Sequence, residues 1–252
     1  MSAILTTSGL TKGWGAVQAV RGVDVHFKTG CRHAIIGPNG AGKTTLLNLL
    51  AGALAPQQGQ VFYQGQDITA WDQAQRVRQG VVRSFQQSRL FAGLTILESV
   101  LLVMEHRQGR LAFWRALGHR SRWMDEAQAL LAPLGLWAER HQYVRTLAYG
   151  QQRLLELAVV LATRPRGLLL DEPAAGVSAA ESARMFEYLA GLPEDLSIIL
   201  IEHDMQRVFE FAQVITVLVA GQVFLQASPA EVAEHPGVRR VYLGDEWGAS
   251  SC

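Results

Sequence analysis

The apolar residues follow two rhythms. Short uninterrupted runs, "RHAIIG" from Arg32, "GLLLDEP" from Gly167 and "SIILIEHD" from Ser197, read as buried strands. Between them, "KTTLLNLLAGAL" from Lys43, "AAESARMFEYLAGL" from Ala179 and "MQRVFEFA" from Met205 carry apolar positions at helical spacing. This alternation predicts an α/β architecture. Ile4–Phe27 reads as short strands turning at Gly13–Trp14–Gly15 and at Gly22, "GQVFYQGQDI" as a strand pair or turn, and "GVVRSFQ" as a further strand. "VITVLVAGQVFLQA" reads as two strands around Ala220–Gly221. Residues 95–162 are almost wholly helical in pattern, so the α/β core is expected to be interrupted by a helical lobe.

One stretch in that lobe is unusual. In "LAYGQQRLLELAVVLA", Leu154, Leu155, Leu157, Ala158 and Leu161 predict a buried helix starting near Gln151. The residues before it, Tyr149–Gly150–Gln151, form an exposed lead-in with no usual catalytic base, nucleophile or metal cluster. A bare helix N-terminus of this kind can hold an anion, because its first N–H groups have no partner within the helix.

The chain has 252 residues, enough for one large domain or a domain with a smaller lobe. Its net charge of +1 gives no basic field that would point to nucleic acid. Two cysteines, Cys31 and Cys252, exclude a disulfide scaffold and suit a reducing compartment. The N-terminus lacks the basic and apolar regions of a signal peptide. No stretch reaches the roughly 18 apolar residues of a membrane helix.

Candidate chemistry begins at "GPNGAGKTT", Gly37–Thr45, a match to the phosphate-binding pattern G-x-x-x-x-G-K-[ST] between a strand and a helix. In such a loop the backbone N–H groups over Gly37, Asn39, Gly40, Ala41 and Gly42 converge on phosphate oxygens. Lys43 is expected to reach the β- and γ-phosphates, Thr44 to ligate Mg²⁺, and Thr45 to add a contact to the α-phosphate. "GLLLDEP" supplies carboxylates where a neighbouring parallel strand ends: Asp171 for Mg²⁺ and Glu172 to orient or deprotonate the attacking water. His203 ends a third strand and is a candidate for the γ-phosphate or that water. Gln86, after "VVRSFQ", is a candidate for Mg²⁺ or water, with a plain surface glutamine as the alternative.

The ordered set GPNGAGKTT, SFQQ, LAYGQQ, LLLDEP and EHD resembles an ABC transporter ATPase subunit, over about residues 4 to 244. "LAYGQQR", "LDEPAAG", "LIEHDM" and "HPGVRRVYLG" make it most similar to the branched-chain amino acid importer subfamily. The resemblance implies a P-loop NTPase core, an N-terminal antiparallel β subdomain and an inserted helical subdomain. One ABC ATPase domain would then span 1–252, with core segments 1–90 and 163–252 around a signature subdomain of about 91–162. It implies ATP and Mg²⁺ as ligands, Gln86 as the Q-loop, Asp171 and Glu172 as the Walker B pair, His203 as the switch histidine and Trp14 as the adenine-stacking aromatic. Tyr149, Gly150 and Gln151 would cap the γ-phosphate of ATP held by a second, similar ATPase subunit. Other implied partners are transmembrane permease subunits and, indirectly, a solute-binding protein, which sets the chain peripherally on the cytoplasmic face of the membrane. The apolar stretch with Leu90, Phe91, Leu94 and Ile96 is similar to the groove that receives a cytoplasmic permease helix.

Two positions depart from the general pattern. Ala148 stands where most signatures have serine, though the closer subfamily resembles this chain in having alanine, and Ser178 stands where the loop after Walker B usually has aspartate. A GTPase is disfavoured because no N-K-x-D occurs, and a translation-type ABC protein because there is one cassette. Chromosome-type ABC proteins need a long coiled coil, and no sustained heptads occur here. The remaining rivals share this ATPase: the energiser of a urea importer or of a lipopolysaccharide exporter.

Overall fold

A computed structural model describes residues 2–84, 90–108 and 116–243. The strands are β1 (Ala3–Trp14), β2 (Val17–Lys28), β3 (Arg32–Ile36), β4 (Gln58–Tyr63), β5 (Gln66–Asp67), β6 (Val81–Arg83), β7 (Gly167–Asp171), β8 (Ser197–Ile201), β9 (Val214–Val219) and β10 (Gln222–Ala227). The helices are α1 (Lys43–Ala51), α2 (Gln73–Arg78), α3 (Ile96–Gln108), α4 (Ala116–Leu131), α5 (Tyr149–Ala162), α6 (Ala179–Ala190), α7 (Met205–Phe211), α8 (Pro229–Glu234) and α9 (Pro236–Leu243). None of the described helices is long and apolar enough to cross a membrane. The chain divides into two compact units, one of residues 1–82, 166–172 and 193–252, the other of residues 83–165 and 173–192.

The first unit holds a four-stranded sheet in the order β2-β1-β4-β5, antiparallel throughout, and most of a six-stranded sheet in the order β10-β9-β3-β8-β7-β6. Strands β9, β3, β8 and β7 run parallel, and β10 returns antiparallel beside β9. Every residue of β3, β7 and β8 is buried, as an apolar run covered on both faces must be. Alternation along β3 separates the two cores. Ile35 joins Phe27, Leu46, Leu50, Val61 and Ile199 beneath the antiparallel sheet, while Ala34 and Ile36 pack with Val208, Val217 and Val232 on the opposite face.

Gly22 proves not to be a turn. It lies inside β2 with φ of 58°, among register shifts that bend the β1–β2 ribbon. The turn itself is at Gly15–Ala16, which makes Trp14 the last residue of β1.

Arg76 is fully buried although it carries a charge. Its guanidinium donates to the carbonyls of Leu49 and Leu50 at 2.7 and 2.8 Å, Ile68 at 2.9 Å and Trp71 at 3.2 Å, so it closes the C-terminus of α1. Burial holds its pKa down to about 10, against the pull of Asp67. Arg76→Ala would strand several buried carbonyls at once, and is expected to cost about 3 kcal/mol. In a chain of this size that lowers the melting midpoint by roughly 6–12 °C, measurable by calorimetry.

The second unit packs α3, α4, α5 and α6 together. Glu126 on α4 ties it by ion pairs to Arg107 of α3 at 2.9 Å and to Arg164, just past α5, at 2.8 Å. The unit takes in 173–192, which the strand–helix alternation alone would leave with the core. The helical pattern expected over 95–162 is interrupted at 132–148, where only a short 3-10 turn at Val144–Thr146 occurs. Pro133 and a left-handed Gly135 follow α4 there, and both interrupt helices.

Candidate nucleotide site

The six-stranded sheet brings three strand ends into register: Ile35 of β3 pairs with Ile201 of β8, which pairs with Asp171 of β7. Chemistry-bearing residues follow each, namely Gly37–Thr45, Asp171–Glu172 and Glu202–His203. The C-terminal edge of a parallel sheet is where such folds bind ligands.

The loop after β3 is tightly held. The Ala41 N–H donates to the Pro38 carbonyl at 3.1 Å, and the Gly221 N–H donates to the Ala41 carbonyl at 3.1 Å. Gly42, with φ of 96°, presses so close to β2 that a Cβ would strike the Ala19 carbonyl. Only glycine fits there, immediately before α1 opens at Lys43. The Lys43 ammonium folds back and donates to the carbonyls of Gly37 at 2.7 Å and Pro38 at 3.0 Å. Burial lowers its pKa, and the charges of Glu172 and Asp171 pull it back up. The result is a glycine cradle with a cation at its mouth and a helix N-terminus behind it, which suits a polyphosphate.

The Thr44 hydroxyl donates to Asp171 Oδ1 at 3.4 Å, and Asp171 is buried. A hydroxyl beside a carboxylate, with phosphate oxygens to complete the set, is the hard-oxygen environment that Mg²⁺ takes, so these residues fit the ion. Glu172 adopts φ of 47°, unusual for a residue other than glycine, and its N–H donates to the Ile201 carbonyl at 3.0 Å. That backbone strain sits at the residue expected to work on water, where such strain tends to collect. His203 Nδ1 stands 3.9 Å from Glu172 Oε1 and 3.7 Å from Glu202 Oε2. Trp14 is 51% exposed in the same unit, and the Lys12 ammonium lies 5.8 Å from its ring centre. Gln86 lies outside the described residues.

Tyr149, Gly150 and Gln151 belong to the second unit. Here α5 begins at Tyr149, two residues earlier than the apolar spacing predicts, after Ala148 as its N-cap. Alanine has no side-chain acceptor, so the end is closed from the other side: Gln151 Oε1 accepts from the Ala148 N–H at 3.1 Å, while its Nε2 donates to Glu139 at 2.5 Å. The first intrahelical bond is from the Gln152 N–H to the Ala148 carbonyl, so the N–H groups of residues 149–151 precede it. Gly150 is buried rather than exposed, because Glu181 lies against it. The Tyr149 ring stands over Gly176, and its hydroxyl accepts from Arg153 Nε at 2.9 Å and donates to the Ala175 carbonyl at 3.4 Å.

Ser178 is the N-cap of α6. Its backbone N–H and hydroxyl donate to Glu181 at 3.0 and 2.6 Å, and its oxygen accepts from the Glu181 N–H at 3.3 Å. Serine caps a helix as well as aspartate does, so this departure leaves the local structure intact. The S-x-x-E spacing of "SAAE" already signals that box in the sequence. Glu202 was not singled out by sequence reasoning either, although an acid ending an apolar strand beside a histidine is a readable signal.

A family model described as ABC transporter matches residues 20–175. The high-affinity branched-chain amino acid transport ATP-binding protein BraF of Pseudomonas aeruginosa is 36% identical over 251 residues, 96% of this chain and 98% of that protein. The lipopolysaccharide export system ATP-binding protein LptB of Acidithiobacillus ferridurans is 32% identical, with 98% of this chain and 99% of that protein covered. The crystal structure of the ADP conformation of MJ1267, an ATP-binding cassette of an ABC transporter, superposes with a TM-score of 0.81 at 27% identity, over 97% of this chain and all of that one. With a family model matched over residues 20–175 and likeness along its whole length, the chain belongs to the ABC transporter family as one of its ATP-binding, ATP-hydrolysing subunits.

Proposed function

We propose that this subunit energises an importer for branched-chain or other small amino acids. The observation that carries the reading is the 36% identity with BraF over 96% of the chain, a span that includes the "LAYGQ" signature with its Ala148. In this reading the Gly37–Thr45 loop holds the phosphates of ATP, with Lys43 on the β- and γ-phosphates and Trp14 stacked on adenine. Thr44 and Asp171 hold Mg²⁺, joined by Gln86; the ion neutralises charge on the phosphates. Glu172 takes a proton from the water that attacks the γ-phosphorus, and His203 contacts the terminal phosphate.

The α5 N-terminus of a second, similar ATPase subunit closes over that phosphate, so that ATP is sandwiched between the two. The first unit then acts as the nucleotide core and the helical unit as the signature lobe. Permease subunits anchor the pair on the cytoplasmic face of the membrane, and a solute-binding protein delivers cargo to them. The 32% identity with LptB supports a second reading, an exporter ATPase of the lipopolysaccharide type. Copurification of the membrane subunits, then ATPase assays with amino-acid-loaded binding protein, separates the two. Stimulation by the loaded protein supports import, and stimulation only by a lipid-linked polysaccharide removes it.

Coupling to the permease falls to the stretch at 90–96. Phe91 is 64% exposed there, whereas Ile96 is fully buried in its own unit. Phe91→Ser is therefore expected to weaken assembly with the membrane subunits about tenfold or more while leaving ATP affinity unchanged, since an exposed aromatic of this kind is a common interface anchor. Pull-down yield and nucleotide titration of the same variant check this. Normal assembly would place the permease contact elsewhere.

A further inference from the structure

Glu202 is a buried carboxylate to which none of these roles gives a task. It follows the last residue of β8 and is 4% exposed, although the His203 beside it is 71% exposed. Its Oε2 accepts from the His203 N–H at 3.1 Å and stands 3.7 Å from His203 Nδ1. Burial pushes the Glu202 carboxyl up, the N–H groups of His203 and Asp204 and the His203 ring hold it down, and the charge of Glu172 pushes it up again. A carboxylate is an expensive group to bury. Capping two loop N–H groups alone could be done by a neutral hydroxyl or amide. The histidine ring is what distinguishes a charge at this position. Glu172 Oε1 approaches the same nitrogen at 3.9 Å, so Nδ1 faces two carboxylates and no other ring atom is so placed in the described contacts.

We propose that Glu202 is a positioning residue for His203: its carboxylate holds the imidazole with the Nδ1 proton turned toward Glu202 and Glu172, which leaves Nε2 as the ring atom for the γ-phosphate or the water attacking it. A partner at one ring nitrogen sets the tautomer, and therefore what the other nitrogen does. The inference rests on the reading that His203 works on the terminal phosphate. Glu202 is only 4% exposed, so its removal is expected to act on turnover and to spare ATP binding.

The test is a double-mutant cycle on the transporter assembled with its membrane subunits, reading kcat and the KM for ATP. Glu202→Gln keeps the size of the side chain and an acceptor oxygen for the His203 N–H, so the loop stays capped. Its kcat is expected to fall about tenfold, with KM within about twofold, the split expected when only transition-state positioning is lost. In a His203→Ala background the same change is expected to have no further effect, because the group it positions is gone. Wild-type kcat in Glu202→Gln, with His203→Ala impaired, overturns this inference alone and leaves Glu202 as a loop cap. An equal loss in both backgrounds also overturns it, since Glu202 then acts independently of the ring. Normal kcat in His203→Ala overturns both the role of His203 and this inference.

Discussion

Lys43→Ala is expected to abolish tight ATP binding, and Glu172→Gln to keep binding while stopping hydrolysis. The two variants remove different things. The Lys43 ammonium is pinned at the mouth of the loop by the Gly37 and Pro38 carbonyls, at 2.7 and 3.0 Å. On the proposed reading, its replacement removes the charge that meets the phosphates and leaves those carbonyls, which repel an anion, in its place. Charge-assisted hydrogen bonds contribute about 1.5–3 kcal/mol each, so the loss of two corresponds to a hundredfold or more in affinity. The Glu172 side chain is 44% exposed. Glutamine copies its shape, and the positive φ is no worse for an amide than for an acid. ATP affinity is therefore expected to be equal or slightly higher, because a negative charge near the triphosphate has gone. The missing base costs about 10²–10⁴ in the chemical step. Nucleotide titration separates the first variant, and single-turnover hydrolysis the second. Normal turnover in Glu172→Gln would mean that another group activates the water.

The parts of the fold that sequence made legible are those in which local pattern and tertiary role coincide. The runs in β3, β7 and β8 had to be buried on both faces, and they are. The helix after the phosphate loop starts at Lys43 because the glycines before it forbid an earlier start. Gly22 was misleading because a left-handed glycine carries the same signature in a turn and in a strand bulge. The helix α5 began early because its start depends on Gln151 reaching back to Ala148, a capping contact that apolar spacing does not encode. Of the candidate site, the residues contributed by strand ends were legible, since topology delivers them to one edge. Glu202 and Glu181 carried local signals, an acid next to His203 and an S-x-x-E spacing, but the burial of Glu202 and the approach of Glu181 to the Gly150 backbone exist only in the folded chain.

That last contact sharpens what substitution at Gly150 should do. Gly150→Asp is expected to leave ATP affinity of the isolated subunit within about twofold and to lower hydrolysis by the assembled transporter at least a hundredfold, the loss of an anion-stabilising element made only in the complex. Two causes compete. Within the chain, any Cβ at 150 would run into the Glu181 carboxylate, which caps α6 through the Ser178 N–H and hydroxyl, and an aspartate adds like charge. Between subunits, a side chain would keep the partner's γ-phosphate away from the N–H groups at the start of α5. Magnitude favours the second. Glu181 is the end of a flexible side chain, and displacing it forfeits a helix cap of about 1 kcal/mol. That corresponds to less than a tenfold change in rate, whereas a hundredfold loss needs about 2.7 kcal/mol. Glu181→Ala alone is thus expected to reduce turnover only a few-fold. The decisive variant is Gly150→Ala combined with Glu181→Ala, in which the own-chain collision is relieved and the obstruction to phosphate remains. The pair should stay as inactive as Gly150→Ala. If removing the Glu181 side chain instead restores turnover, or if Gly150→Asp weakens ATP binding by the isolated subunit, the glycine serves packing within its own chain and the anion at this helix end is not a partner's phosphate.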